Sequence, residues 1–211
     1  MSPSKTSTRP PRPLPDPIPF VGLTGGIGAG KSTALAALER LGAVVLSTDA
    51  VVHELYEQEE VTRAVVERFG SSVAPTGSVD RAALAKRAFA TAEDRQWLEG
   101  MLWPRVGARI MEWRDELVQR SAPPRAAVVE VPLLFEAGMD AAFDATIAVI
   151  APEDVRAERA GGRGHEALDE RLARQLTQAE KAHRATFTVV NDGDVGQLES
   201  KLAEVLDILM R

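Results

Sequence analysis

Gly25-Gly-Ile-Gly-Ala-Gly-Lys-Ser32 decides the fold of this 211-residue chain. Two glycines bracket four residues and are followed by a lysine and a hydroxyl residue, the G-x-x-x-x-G-K-S spacing of a phosphate-binding P-loop. Glycine admits positive φ, so successive backbone N–H groups can turn toward one point and form a concave anion site. A helix opening near Gly30 aims its positive dipole end at the same place. Lys31 supplies a mobile charge for β- and γ-phosphates, and the Ser32 hydroxyl suits Mg²⁺. The predicted nucleotide-binding stretch therefore runs through Gly25, Gly26, Ile27, Gly28, Ala29, Gly30, Lys31, Ser32 and Thr33.

The flanks have the strand–loop–helix setting that the motif requires. Ile18-Pro-Phe-Val-Gly-Leu-Thr24 is a short apolar run, as a strand buried on both faces of a parallel sheet reads. After the loop, Leu35, Leu38 and Leu41 share one face of a helix from Gly30 to about Leu41, and Gly42 stops it. Further strands are predicted at Ala43–Leu46, Ala126–Val131, Ala145–Ile150 and Thr186–Val190, with a closing amphipathic helix at Val195–Met210. Strands alternating with helices predict an α/β fold: a five-stranded parallel sheet flanked by helices.

One connection is too long. A crossover needs roughly a dozen residues or somewhat more, but the second and third strands are separated by mostly helix-forming sequence at Asp49–Phe69, Asp80–Ala90 and Glu93–Arg120. The excess predicts a helical acceptor-binding subdomain at about 50–124. A helical lid is predicted at about 152–178. Residues 1–19 hold seven of the thirteen prolines and almost no apolar content, which predicts a disordered tail ahead of a P-loop domain at 20–211. The tail lacks the apolar segment of a signal peptide.

Composition narrows the partners. The chain has no cysteine, which excludes disulfides and thiolate metal sites and fits a cytoplasmic location. Its net charge of −6 argues against nucleic acid, since such binders draw most of their affinity from cationic surface. No apolar run reaches the roughly 18–20 residues of a membrane helix. An acidic chain that binds phosphates must gather its cations locally, and Arg156, Arg159, Arg163, Arg171, Arg174, Lys181 and Arg184 lie in one stretch. Arg159 and Arg163 are i,i+4 and would share a helix face, whereas Arg156 and Arg184 read as surface residues.

No guanine-reading Asn-Lys-x-Asp follows a late strand, because Asn191-Asp-Gly193 lacks the lysine and the spacing. That leaves a small-molecule kinase. Val21–Thr33, Leu41-Gly-Ala-Val-Val with Asp49, Val79–Leu84 leading to Phe89, Leu98–Pro104, Val131-Pro-Leu-Leu-Phe-Glu136, Arg171-Leu-x-x-Gln175 and Asn191-Asp-Gly193 together resemble the dephospho-coenzyme A kinases. The similarity runs from about Phe20 to Met210. It implies ATP-dependent phosphorylation of the ribose 3′-hydroxyl of dephospho-CoA, with ATP and Mg²⁺ as cofactors and no nucleic-acid or membrane partner.

Asp49 stands at the carboxyl end of the second strand, the edge where open α/β sheets bind ligands. A carboxylate there can orient or deprotonate a hydroxyl, and the family's catalytic aspartate maps onto it; the competing reading is a helix N-cap. Lys31, Arg159 and Arg163 complete the expected catalytic set, with Arg171 on ATP and Ser32 on Mg²⁺. Glu130 lies in an apolar strand, so it needs a partner: Mg²⁺-bound water or Lys31 on one reading, a structural salt bridge on the other. His53, His165 and His183 have neither a nucleophile partner nor metal-ligand spacing, and Trp97, Trp103 and Trp113 read as core. The chain departs from the family at Ser47, where a further Asp is common. It departs again at Trp103-Pro104 in place of His-Pro, and in a lid about three residues short that contains Gly161, Gly162 and Gly164. A kinase for another small acceptor, such as a nucleoside or nucleotide, is the rival reading, and a non-catalytic nucleotide-binding regulator is a more distant one.

Overall fold

The computed structural model describes residues 18–160 and 175–211, with the backbone alone for 158–160. In chain order it comprises β1 (Phe20–Gly25), α1 (Lys31–Arg40), β2 (Val44–Ser47), α2 (Thr48–Leu55), α3 (Glu59–Phe69), α4 (Arg81–Ala88) and α5 (Ala92–Val118). Then follow β3 (Ala127–Glu130), β4 (Ala145–Ile150), α6 (Glu153–Ala160), α7 (Gln178–Arg184), β5 (Phe187–Val190) and α8 (Val195–Leu209). The strands form one parallel sheet in the order β2-β3-β1-β4-β5. The P-loop strand is central, so its carboxyl end lies at the switch point where such sheets bind ligands.

Alternation in the strands divides the core by face. Val21, Leu23, Val128, Ile147 and Val149 pack beneath α1 and α8. Phe20, Ala127 and Val129 face the other way and join the buried side chains of α2–α5. The inserted helices therefore have no separate core. They complete the sheet's second face, where Phe143 stacks on Phe20 with ring centroids 4.8 Å apart. Only glycine fits at position 22, because a Cβ there would come within 2.9 Å of the Phe143 ring.

The expected strands, first helix and last helix all form. The helix-forming stretch Asp49–Phe69 is two helices, broken at Tyr56–Gln58. Each helix buries a pair four residues apart, Val51 with Leu55 and Val61 with Val65. At the break, the Tyr56 carbonyl accepts the Thr62 hydroxyl at 2.9 Å. The tail boundary also moves, since Ile18 is buried and the Pro19 carbonyl accepts the Ala127 N–H.

Only two of the three tryptophans are core-like. Trp113 is buried on the α5 face formed with Leu98, Leu102, Val106, Ile110 and Leu117. Trp97 packs edge-on against Phe69. Trp103 is 48% exposed, because it follows Leu102 by one residue and so points about 100° away from the buried face.

Candidate active site

The P-loop has the backbone expected of an anion cradle. Gly28 and Gly30 hold φ of 78° and 91°, a region that side-chain-bearing residues rarely enter. Gly30 is the N-cap of α1, with no side-chain cap bond and no acidic residue in the first turn. The positive end of α1 is thus left without a side-chain anion, and its first N–H groups have no intrahelical acceptor. The Lys31 ammonium curls back over the loop and donates to the carbonyls of Gly25 at 2.9 Å and Gly26 at 3.3 Å. Ser32 is exposed at the start of α1.

Two side chains grip the loop from behind. The buried Asn191 amide donates to the Ala29 carbonyl at 2.9 Å, and Arg156 Nε donates to the Ile27 carbonyl at 2.9 Å. In a planar trans peptide the C=O and the following N–H point opposite ways. Holding those two carbonyls therefore turns the Gly28 and Gly30 N–H groups to the other side of the loop. Arg156 is not the surface residue that its sequence context implies. Because α6 starts directly after β4, its first turn lies on the P-loop, and a Cβ at Gly28 would meet the Arg156 carbonyl at 2.7 Å. The Gln178 amide clasps both backbone groups of Ala151 at 2.9 Å, tying the start of α7 to the end of β4.

Asp49 lies in the first turn of α2 and is exposed. The N-cap of that helix is Ser47, with no side-chain cap bond, so the cap reading of Asp49 loses its basis. Ser47 has another use: its hydroxyl donates to Glu130 Oε2 at 3.0 Å. The partner that the structure gives Glu130 is thus a neutral hydroxyl. An aspartate at 47 would set two carboxylates against each other there. Register places Glu130 opposite Leu23, two residues before Gly25. Thr48 Oγ1 binds the Glu130 carbonyl at 2.9 Å, which fixes the start of α2 to the end of β3.

Leu134 and Phe135 are buried, as a packed turn requires. Glu136 is nearly buried and pairs at 2.9 Å with Lys181, which has no exposed surface. Lys181 Nζ also donates to the Pro132 carbonyl at 2.7 Å and to Thr24 Oγ1 at 3.3 Å. Burial pulls the ammonium's pKa below the usual lysine range, and the bond to Glu136 opposes that shift. Arg184 stays on the surface, with its guanidinium 4.8 Å above the Phe135 ring.

Lys31, Ser32, Glu130 and Asp49 are thus brought to one edge of the sheet. Arg159 lies on the described backbone of α6, while Arg163, Arg171 and His165 lie outside the described residues. His53 and His183 are exposed, and no cluster of metal-ligating side chains gathers among the described residues. Sequence reasoning missed Lys181 and Arg156, each one cation within a basic stretch. Asn191, a polar residue ending the last strand, carried a signal that could have been followed.

A family profile described as dephospho-CoA kinase matches residues 19–197. A dephospho-CoA kinase of Deinococcus radiodurans is 39% identical over 211 aligned residues, spanning 97% of this chain and 96% of its own. One from Moorella thermoacetica is 39% identical over 83% of this chain and 85% of its own. Among solved structures, a Thermus thermophilus protein superposes with a TM-score of 0.74 at 36% identity, covering 92% of this chain and 98% of that one. The dephospho-CoA kinase of Campylobacter jejuni superposes with a TM-score of 0.59 at 24% identity, covering 90% and 96%, and shares the fold.

Proposed function

The chain belongs to the dephospho-CoA kinase family, and from that premise we propose that Asp49 and the P-loop divide the phosphoryl transfer between them. The reaction is ATP-dependent phosphorylation of dephospho-CoA, a step of coenzyme A biosynthesis. The observation that carries the division of labour is the placement of Asp49. It is an exposed carboxylate at the same sheet edge as the P-loop, without a capping role.

The amides of residues 25–33 and the positive end of α1 hold the triphosphate. Lys31 leaves the Gly25 and Gly26 carbonyls for the β- and γ-phosphates. Asp49 orients the ribose 3′-hydroxyl and accepts its proton as the new O–P bond forms and the bond to the β-bridging oxygen breaks. ADP then departs. Arg159 and Arg163 neutralise the transferring group, and Arg171 contacts ATP.

The donor set suits Mg²⁺: Ser32 offers an exposed hydroxyl, and Glu130 offers a carboxylate already oriented by Ser47. Mg²⁺ keeps several waters and shares substrate phosphates, so Ser32 would hold it directly and Glu130 through water. When bound, the ion neutralises phosphate charge. Both substrates are small molecules, and no described helix is long and apolar enough to cross a membrane.

Phosphorus NMR of the product tests this reading. A single new phosphomonoester coupled to the ribose 3′ proton is expected. Phosphate on the 2′ oxygen, or on the pantetheine arm, would contradict the placement of the acceptor against Asp49.

A further inference from the structure

Lys181 is a fully buried cation that the transfer described above does not use. Its three N–H donors meet three acceptors from three places in the chain: Thr24 Oγ1, the Pro132 carbonyl and Glu136 Oε1. The same Glu136 oxygen accepts the Leu176 N–H at 2.8 Å, and Thr24 Oγ1 donates to the Pro132 carbonyl at 3.2 Å. Thr24 is the residue before the P-loop. Pro132 lies two residues past Glu130, whose register partner on β2 is Ser47, two residues before Asp49.

Stability alone does not account for this arrangement. A buried ion pair is often matched or exceeded in stability by apolar residues of similar volume. Here, too, Glu136 Oε2 is buried with no hydrogen-bond partner among the described residues, a cost that packing would avoid. What an ammonium with all donors engaged provides is direction. Three bonds from one nitrogen fix the relative positions of the segments that end in its acceptors, whereas apolar packing leaves them free to slide.

We propose that Lys181, clamped by Glu136, is a positioning residue for phosphoryl transfer, setting the acceptor-side segment at Pro132 against the end of the donor strand at Thr24. It touches neither substrate. It acts by keeping the P-loop and the acceptor loop at the separation that in-line transfer needs, where a displacement of about 1 Å costs on the order of 10²-fold in rate. The inference rests on the proposed function, in which the acceptor binds against Asp49, beyond the β2 end that pairs with the β3 end leading to Pro132.

The test compares wild-type protein with the pair Lys181→Met and Glu136→Gln in one chain. The double variant removes both charges and preserves volume and the acceptor for Leu176, so it should fold with an unaltered melting temperature. ATP affinity measured by calorimetry should also be unchanged, while kcat falls about 10²-fold. A wild-type kcat would overturn the proposal, and so would a loss of ATP affinity equal to the loss of kcat, which indicates a damaged P-loop. Should the double variant not fold, Thr24→Val decides. It keeps the ion pair and removes one acceptor, and an unchanged kcat would overturn the proposal. Wild-type turnover of dephospho-CoA is measured alongside, and its absence would instead count against the reading of the site.

Discussion

Replacing Asp49 by Asn lowers kcat by about 10³-fold, the scale of a lost general base, with ATP binding and folding preserved. The substitution is isosteric, and Asp49 is exposed, without a capping bond to lose. Asparagine can still donate to or accept from a hydroxyl, so orientation is partly retained. It cannot take the proton. The expected pattern is therefore a fall in kcat under saturating ATP and dephospho-CoA, an unchanged melting temperature and an unchanged affinity for ATP. Near-normal turnover would remove Asp49 from the chemistry and send the search for the base to Glu130, the other carboxylate at that edge.

Replacing Lys31 by Ala lowers kcat/KM for ATP by about 10³-fold, the upper range for deleting one charge-stabilising donor from a preorganised site. Lys31 also bridges the Gly25 and Gly26 carbonyls, so it is part of the loop's own hydrogen bonding. The variant thus loses a loop contact as well as a phosphate contact. Thermal unfolding with and without ATP separates the two effects, because a ligand that binds only the native state raises the midpoint by mass action. The wild type should show that rise and the variant little of it. Unimpaired turnover at sub-saturating ATP would contradict the role given to Lys31.

These two residues were legible before the fold was known because each depends on local sequence. The P-loop is a contiguous run whose glycines serve backbone needs, and Gly28 and Gly30 do hold positive φ. Asp49 was legible from its place at the end of a strand. Lys181 was not, because its burial is created by Thr24, Pro132 and Glu136, which lie 157, 49 and 45 positions away. In sequence it is one more cation after the capping box of Thr177 and Glu180. Arg156 was misread for the same reason: its partner, the Ile27 carbonyl, is 129 residues distant. The break between α2 and α3 was not legible, since the apolar positions on either side also fit one helix face and no glycine or proline marks it.

The departures from the family pattern acquire physical content in the fold. Ser47 is the hydroxyl that steadies Glu130, and it lies at the same sheet edge as the P-loop. Trp103 projects a large apolar ring outward from α5, where a core tryptophan was expected. Neither change touches the P-loop or Asp49.

The decisive measurement follows ADP release with dephospho-CoA, and separately with a panel of nucleosides and nucleotides, as acceptors. Transfer through the P-loop and Asp49 should form ADP in step with dephospho-CoA consumed, with only background release from the panel. Equal release in the absence of dephospho-CoA, or faster release with a nucleoside, would contradict it.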